Sequence, residues 1–295
     1  MPAPTYCGRF APSPTGPLHL GSAYTALASW LLARQAGGQW LIRIEDLDPP
    51  RAVAGASTTQ LAALQRLGLT SDRPVLRQSL RHHMYQAALD QLLASGQAFA
   101  CHCSRSDLAD SGGVHRGCRG KRQRPTPAIR FRVRDADVIV LHDAIQGEYQ
   151  QSLAEMTGDF VLRRADGLWA YQLAVVVDDA AQGITNIVRG SDLLDSTPRQ
   201  IALQRALGLH TPSYAHVPVL LGADGQKLSK SERSDGIDSG DPIAVLNHLW
   251  ALLGQPYPLP ASAHDAPGWL AAAVAAFRPE ALPHSAAIAF ESMQT

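Results

Sequence analysis

Two short polar segments, far apart in the sequence, carry residue types that suit the phosphates of a nucleotide. His19 and Gly21 follow a proline-rich loop and precede a predicted helix, whose first N–H groups and dipole favour an anion. Lys227 and Lys230 can reach a triphosphate from the opposite side and stabilise the charge of a departing pyrophosphate. Taken alone, the first segment is more typical of a proline-rich loop with a capping histidine, and the second of a solvated charged turn. Together they predict ATP binding by all four residues, with His19 and Lys230 as catalytic residues.

A group of cysteine and histidine residues has the chemistry of a metal site. Cys101, Cys103, His115 and Cys118 offer three thiolates and one imidazole, a donor set that fits tetrahedral zinc. Because four protein ligands leave no open coordination position, we expect one structural zinc ion per chain. His102 is the alternative imidazole ligand, but it lies between two cysteine ligands, so we expect its side chain to point elsewhere. Reduced cysteines without a metal are the alternative interpretation.

A basic stretch overlaps the end of this group and continues without an acidic residue until Asp135. Its members are Arg116, Arg119, Lys121, Arg122, Arg124, Arg130, Arg132 and Arg134. Phosphate contact is the natural use of such a concentration of positive charge, although most charge runs are solvated faces. Strand periodicity places Arg130, Arg132 and Arg134 on one face, which predicts a basic sheet surface for RNA.

The composition is that of an ordinary globular protein without a net charge. The 295 residues include 26 Lys and Arg, 26 Asp and Glu, and 45% hydrophobic residues, which excludes a collagen-like or disordered chain. The longest apolar stretches, such as residues 173–177, are far shorter than the ~20 residues that span a bilayer. The first residues lack the pattern of a signal peptide. We therefore expect a cytoplasmic monomer with no membrane partner.

Hydrophobic patterning predicts the elements that position these residues. The first part predicts a strand at 5–10, a helix at 22–35, a strand at 40–44, and helices at 57–67 and 80–95. Three prolines between residues 11 and 17 end the first strand, since proline removes a ladder donor. Alternation of strands and helices is typical of an α/β fold with a parallel sheet.

The pattern changes between residues 99 and 164, where it predicts an inserted, mostly β module. Its strands are expected at 128–133, 138–142 and 160–164, and the α/β alternation returns with strands at 168–177, 184–188 and 217–221 and a helix near 198–207. The expected division is 1–98 for the first half of the catalytic domain, 99–167 for the inserted zinc and basic module, 168–240 for the second half with the Lys-Leu-Ser-Lys-Ser loop, and 241–295 for a short helical C-terminal region.

These motifs, in this order, resemble those of class I aminoacyl-tRNA synthetases. The segments RFAPSPTGPLHLG at 9–21 and KLSKS at 227–231 are similar to the two signatures of that class. Specific similarity to glutamyl-tRNA synthetases lies in that first segment, in RIEDLD at 43–48, in Tyr171 with VVDD at 176–179, and in VRGSDL at 188–193. The match covers about residues 5–240. It implies a Rossmann-like catalytic domain with an insertion that binds an acceptor stem.

The resemblance also implies a pocket for glutamate. It assigns contacts to Arg9, Phe10, Ala11, Pro12, Ser13, Glu45, Tyr171 and Arg189. The charges agree, because glutamate has two carboxylates that suit the guanidinium groups of Arg9 and Arg189 and an ammonium that suits Glu45. Tyr171 supplies a hydroxyl group. Structural salt bridges are the alternative role of arginines at strand ends.

About 55 residues follow Gly240, too few for the helical domain with which full glutamyl-tRNA synthetases read the anticodon. With the cysteine group and DPPR at 48–51, this resembles the glutamyl-Q tRNA(Asp) synthetase family. That likeness implies activation of L-glutamate by ATP with Mg²⁺, without tRNA, and transfer of glutamate to the queuosine of tRNA(Asp). Two features depart from the family: His115 stands where tyrosine is common, and the loop before Cys118 is one residue shorter.

Other functions remain open at this point. One is a truncated glutamyl-tRNA synthetase that charges a tRNA 3′ end, and another is an inactive paralogue that only binds glutamate or RNA. The presence of His19, Glu45, Arg189, Lys227 and Lys230 argues against an inactive protein. A different nucleotidyltransferase with the same phosphate motifs is disfavoured by the residues of the glutamate pocket.

Overall fold

A computed structural model describes residues 5–104, 106–118, 120, 123–222, 224–228, 237, 240–256, 259 and 265–290. Lys230, predicted above as catalytic, lies outside the described residues, as do Arg119, Lys121 and Arg122 of the basic stretch. None of the helices in these ranges is both long and apolar enough to cross a membrane.

Strands and helices alternate at both ends of the described chain and flank a mostly antiparallel middle part. The strands are β1 Cys7–Phe10, β2 Gln39–Ile44, β3 Leu76–Arg77, β4 Ala98–Cys101, β5 Ala128–Phe131, β6 Val138–Asp143, β7 Gly147–Ser152, β8 Val161–Arg163, β9 Asn186–Gly190, β10 Ser213–Val217, β11 Val219–Leu221 and β12 Ala287–Ala289. The α-helices are α1 Leu20–Gln35, α2 Ala56–Arg66, α3 His82–Ala94, α4 Leu153–Met156, α5 Tyr171–Gln182, α6 Thr197–Leu207, α7 Pro242–Leu252 and α8 Ala266–Ala276.

Parallel strands form the centre of the fold. Strand β2 pairs with β1 and β3, and β10 pairs with β9 and β6, all in parallel. The N–H group of Thr185 donates to the carbonyl of Cys7, which places the start of β9 beside the start of β1. The strand order β3-β2-β1-β9-β10 therefore reverses between β1 and β9. In α/β sheets, ligands bind beyond the carboxyl ends of the strands at this reversal.

The loop between β1 and α1 is held at this edge of the sheet. Its prolines exclude it from both neighbouring elements, so its carbonyl groups need partners elsewhere. The buried Gln60 of α2 donates to the carbonyls of Ser13 and Gly16, at 3.0 and 2.7 Å. Helix α1 then packs on β1 and β2, with Ala23, Leu27 and Leu31 fully buried among the residues of the core.

The antiparallel strands of the middle part belong to two sheets. Strand β5 pairs with β4 and β8 in a separate three-stranded sheet. Strands β6 and β7 form a hairpin, and β6 extends the sheet of β9 and β10. The hairpin thus contributes directly to the sheet that carries the β9 edge of the ligand site.

A strand was predicted at residues 168–177, but residues 171–177 form the start of helix α5, so that prediction is wrong. The eight residues from Gln172 to Asp179 are all buried. Because α5 packs against α3, α6 and β8, it has no solvent-facing side to give helical periodicity. A continuous apolar run of this length does not distinguish a buried helix from a buried strand.

Three other expectations need correction. Strand β5 ends at Phe131, so Arg132 and Arg134 lie beyond it, and the guanidinium of Arg132 packs on the ring of Phe99 at 4.6 Å. The strand predicted at 217–221 is divided by Pro218 between β10 and β11, because proline lacks the N–H group that would continue the ladder. The C-terminal region contains helices α7 and α8 but also the strand β12, which pairs in parallel with β11.

Candidate active site

A cavity of about 310 Å³ lies where the strand order reverses, between the carboxyl ends of β1 and β9. It brings together most of the residues that the sequence predicted for phosphate and amino-acid binding. These are Arg9, Phe10, Ala11, Pro12, Ser13, His19, Gly21, Tyr171, Arg189 and Lys227. Glu45 is not among the residues that line the cavity.

One wall of the cavity is the start of helix α1. His19 is its N-cap residue, and its Nδ1 accepts from the backbone N–H of Ser22 at 3.2 Å. The first turn contains no acidic residue, so the positive end of the helix dipole is not neutralised there. A Cβ atom at Gly21 would lie 3.3 Å from Nδ1 of His19. Glycine therefore keeps both the ring and the backbone N–H groups accessible to an anion.

The opposite wall carries Lys227 on a hairpin that follows β11. The N–H of Leu228 donates to the carbonyl of Leu220, and Leu228 is buried in the core. The Nζ of Lys227 lies 2.5 Å from the Oδ2 of Asp192, another residue of the cavity. Both side chains are exposed to solvent, so this ion pair is worth at most about 1 kcal/mol and can be exchanged for a phosphate.

A buried ion network lies beneath the β1 edge. Asp179 of α5 binds Arg9 Nε at 3.1 Å and Arg43 Nη1 at 2.7 Å, and Arg43 Nη2 binds Glu45 Oε1 at 3.2 Å. Burial alone would raise the pKa of Asp179, but Arg43 and Arg9 outweigh it and hold this pKa below its ordinary value. Burial raises the pKa of Glu45 in spite of Arg43. Arg9 and Glu45 thus have structural partners, and their contacts to a ligand stay predictions.

Arg189 differs from Arg9 in having no carboxylate partner among the described residues. Its Nε donates to His216 Nε2 at 3.0 Å, its Nη2 to Thr197 Oγ1 at 2.8 Å, and its Nη1 to Tyr171 Oη at 3.3 Å. Arg189 is only 4% exposed. A buried charge without a counter-ion is costly, and a ligand carboxylate would remove that cost. Arg189 is therefore the cation of this cavity best suited to a carboxylate.

The four predicted metal ligands lie together in the middle part of the chain. The ligand atoms of Cys101, Cys103, His115 and Cys118 are all within 4.8 Å of one another. His102 is not part of this cluster, because its Nδ1 accepts from the backbone N–H of Arg124 at 2.8 Å.

The surroundings of the cluster favour a bound cation. Nδ1 of His115 lies 2.8 Å from Oδ2 of Asp159, which leaves Nε2 directed at Cys101 Sγ, 3.2 Å away. A carboxylate behind the imidazole is the usual way to orient a histidine ligand. Burial and the neighbouring thiols of Cys101 and Cys103 raise the pKa of Cys118 to about 11. The Cys118 thiol therefore resists ionisation unless a cation is bound beside it.

Several residues that shape the site had no assigned role in the sequence analysis. Asp179 and Arg43 form the buried network, Gln60 holds the loop after β1, and Asp192 binds Lys227. The sequence contained one signal for the buried network. Asp178 and Asp179 follow the apolar run 173–177, and an acidic residue there needs a buried partner if the run is buried. The identity of the partner depends on the tertiary fold.

Comparison with known sequences finds relatives of a single class of enzyme. The profile of the family described as tRNA synthetases class I (E and Q), catalytic domain, matches residues 7–125 and 114–240. A protein of Xanthomonas axonopodis pv. citri named glutamyl-Q tRNA(Asp) synthetase is 58% identical over 258 residues, 86% of this chain and 85% of that protein. A protein of the same name from Burkholderia cenocepacia is 52% identical over 267 residues, 85% of this chain and 89% of that protein.

Comparison with solved structures gives the same class of fold. A glutamate tRNA ligase from Elizabethkingia meningosepticum, solved in complex with its amino acid, superposes with a TM-score of 0.80 at 26% sequence identity. The superposition covers 97% of this chain and 67% of that one. The α/β architecture predicted from the sequence is therefore confirmed as that of a class I synthetase catalytic domain.

The buried network yields a prediction for stability. Asp179→Asn leaves two buried guanidinium groups without their shared carboxylate, and the free energy of unfolding at pH 7 should fall by about 3–5 kcal/mol. Because the folded pKa of Asp179 is lowered, its contribution is present above the unfolded value of about 3.9 and is lost as the pH falls further. Urea unfolding at several pH values measures both effects. The control Asp72→Asn, in a half-exposed ion pair, should cost about 1 kcal/mol or less.

The start of α1 yields a prediction for nucleotide binding. Gly21→Ala places a methyl group against the His19 ring, so the affinity for ATP should fall about tenfold, or about 1.4 kcal/mol. Titration calorimetry with ATP measures the change. Gly37→Ala is the control for backbone strain: its φ of 63° disfavours alanine, but its Cβ meets no atom within 4 Å and it lies beyond the far end of the helix, so it should lower stability and leave the ATP affinity unchanged. Equal affinities of wild type and Gly21→Ala would contradict a phosphate site at this helix start.

Proposed function

The chain belongs to the glutamyl-Q tRNA(Asp) synthetase family and is a ligase, and from this premise we propose its substrates and the roles of its residues. It activates L-glutamate with ATP, without a need for RNA, and transfers the glutamate to the queuosine of tRNA(Asp). The observation that carries the proposal is the cavity at the strand-order reversal. It joins a helix start suited to phosphate to a buried guanidinium that has no carboxylate partner in the part of the chain that the structure describes.

The phosphate side of the cavity supports adenylate formation. An oxygen of the α-carboxylate of glutamate attacks the α-phosphorus of ATP, a new O–P bond forms, and the bond to the β-phosphate bridging oxygen breaks. Pyrophosphate leaves with that electron pair, so the protein stabilises charge rather than supplying a nucleophile. His19, the N–H groups near Gly21, and Lys227 hold the triphosphate, and Lys230 is assigned to it from the sequence. Mg²⁺ bound to ATP offsets part of the phosphate charge.

The amino-acid side of the cavity supports selection of glutamate. Arg189 binds a carboxylate, Tyr171 presents its hydroxyl beside it, and Arg9 with the segment 10–13 forms the adjoining wall. Glu45 is assigned to the ammonium group, next to the loop, where its N–H donates to the Pro12 carbonyl. Glutamine would leave the Arg189 guanidinium unpaired. That costs more than the ~1–3 kcal/mol of a neutral unsatisfied group.

The second step is transfer to RNA. A hydroxyl of queuosine attacks the carbonyl carbon of the glutamyl-adenylate, and an ester bond forms. AMP leaves with the electrons of the broken anhydride bond, and the hydroxyl proton passes to its phosphate or to solvent. The basic stretch beginning at Arg116 is assigned to phosphates of the tRNA. The proposal places this enzyme in the cytoplasm, as a monomer, where a reducing environment suits its free thiols.

Zinc is assigned to the cluster of three cysteines and His115, in the module proposed for residues 99–167. The mutual distances of at most 4.8 Å fit tetrahedral zinc, whose ligand atoms lie about 3.5–3.8 Å apart. Four protein ligands would make this ion structural. It would hold together the turns between β4 and β5, where Phe99 and Leu108 provide only a small apolar cluster.

The proposed reaction is tested by ATP–pyrophosphate exchange with and without tRNA. We expect exchange that depends on glutamate, fails with glutamine, and needs no RNA. Labelled glutamate should then attach to queuosine-bearing tRNA(Asp) whose terminal adenosine has been removed, and not to tRNA(Asp) that lacks queuosine. Exchange only with RNA, together with loss of attachment when the 3′ adenosine is removed, would instead indicate a truncated glutamyl-tRNA synthetase.

The zinc assignment is tested by metal content. Mass spectrometry of the purified protein should find one zinc per chain, and His115→Ala should reduce it to well below one. The matched control is His102→Ala, because His102 is a neighbouring imidazole outside the cluster, and it should keep the full content. Zinc loss in His102→Ala with retention in His115→Ala would contradict the assignment.

A further inference from the structure

A buried acid–base pair lies directly behind Arg189 and has no role in the mechanism above. His216 of β10 is the register partner of Arg189 on β9, and Asp143 is the last residue of β6. Nδ1 of His216 lies 2.5 Å from Oδ2 of Asp143, and both side chains are fully buried. Three neighbouring strands thus bring Asp143, His216 and Arg189 into one line that ends at the cavity.

The hydrogen bonds around Asp143 fix the proton on His216. Oδ1 of Asp143 accepts from the backbone N–H groups of Ile145, Gln146 and His216, at 2.9–3.0 Å. Burial opposes ionisation, but these bonds and that of His216 lower the pKa of Asp143 to about 2. An ionised carboxylate only accepts hydrogen bonds, so the proton between Oδ2 and the ring belongs to Nδ1 of His216.

Nε2 of His216 is then free to act as an acceptor. It receives the Nε–H of Arg189 at 3.0 Å, which an imidazolium, with a proton on each nitrogen, would oppose. Burial lowers the pKa of His216 and Arg189 lowers it further, in spite of the hydrogen bond to Asp143. The neutral tautomer with the proton on Nδ1 is therefore the one that this geometry selects.

These hydrogen bonds fix the orientation of the Arg189 guanidinium. Its Nε is held by His216, and its Nη2 by Thr197 Oγ1 and the carbonyl of Leu193. Its Nη1 meets Tyr171, which also lines the cavity. An arginine side chain has many rotamers, and fixing Nε removes most of them before a ligand arrives.

The geometry points to Asp143 and His216 as positioning residues, which set the histidine tautomer and thereby hold Arg189 in the orientation that receives the substrate carboxylate. This inference deepens the proposed function and rests on it. It adds positioning residues from β6 and β10, behind the cavity, to an amino-acid side whose lining residues come from β1, the loop after it, β9 and α5.

Asp143→Asn is the sharpest test, because it keeps the size and the Oδ1 acceptor but presents an NH₂ group to the ring. Nδ1 of His216 must then accept a hydrogen bond from this NH₂ group, so the ring proton moves to Nε2. There it faces the Nε–H of Arg189, and the hydrogen bond between the two nitrogens is lost. We expect the KM for glutamate to rise at least tenfold while the KM for ATP changes less than twofold. The ¹⁵N NMR signals of His216 should change from the Nδ1–H to the Nε2–H tautomer.

Rescue and control variants separate positioning from general damage. His216→Gln offers a carbonyl oxygen where Nε2 stood, so it should keep the KM for glutamate within about threefold of wild type, alone or combined with Asp143→Asn. His216→Leu removes the acceptor and should reproduce the defect of Asp143→Asn. The control Asp72→Asn loses a hydrogen-bonded aspartate far from His216 and should leave both KM values unchanged.

Four outcomes separate a positioning role of Asp143 and His216 from a structural one or from a wrong substrate. A tautomer change in Asp143→Asn without a rise in the KM for glutamate would overturn the inference, as would equal rises for glutamate and ATP. Failure of His216→Gln to rescue Asp143→Asn would also overturn it, since a purely structural defect is then the cause. If Asp143→Asn does not fold, the contrast between His216→Gln and His216→Leu carries the test. Absence of glutamate binding to the wild-type protein in calorimetry would instead overturn the proposed function itself.

Discussion

Charge balance beneath the carboxyl edge of the parallel sheet is the constraint on which this structure depends. Three arginines, Arg9, Arg43 and Arg189, are buried within or beside the first strands of the two sheet halves. Burying an unpaired ion costs several kcal/mol, so each needs a compensating group. Asp179 and Glu45 balance the first two. Among the described residues the hydrogen-bond partners of Arg189 are neutral groups, and this imbalance is the basis on which we propose that it binds a carboxylate.

A second positive region lies in the same cavity. Helix α1 follows β1 after the proline-rich loop, and its start at His19 and Gly21 lines the cavity together with Arg189. Arg189 and the start of α1 thus contribute two positive regions to one enclosed space, each from a rigid element. In the proposed reaction these two regions bind the carboxylate and the phosphates from rigid elements, which preserves the orientation of the reacting groups.

Much of this site was predictable from the sequence because its residues lie at the ends of strands. Arg9, His19 and Arg189 follow or end apolar runs, and such positions meet at one edge of a parallel sheet. The helical state of α5 was not predictable, since burial on all sides erased its periodicity. The pairing of His216 with Asp143 was equally hidden: 73 residues separate them, and only the placement of β6 beside β10 brings them together. The three-residue strand β12 was too short to leave a pattern.

Strand β12 has a consequence for how the borders of the cavity are held in place. It pairs with β11, whose continuation carries Lys227, and Val219 donates to the carbonyl of Ala286. Ser191, two residues beyond Arg189, also donates to that carbonyl. Residues distant in the sequence therefore brace two segments that border the cavity, the one after β9 and the one after β10. Because no residue of β12 lines the cavity, a substitution there can alter the position of both segments without removing any group that faces a ligand.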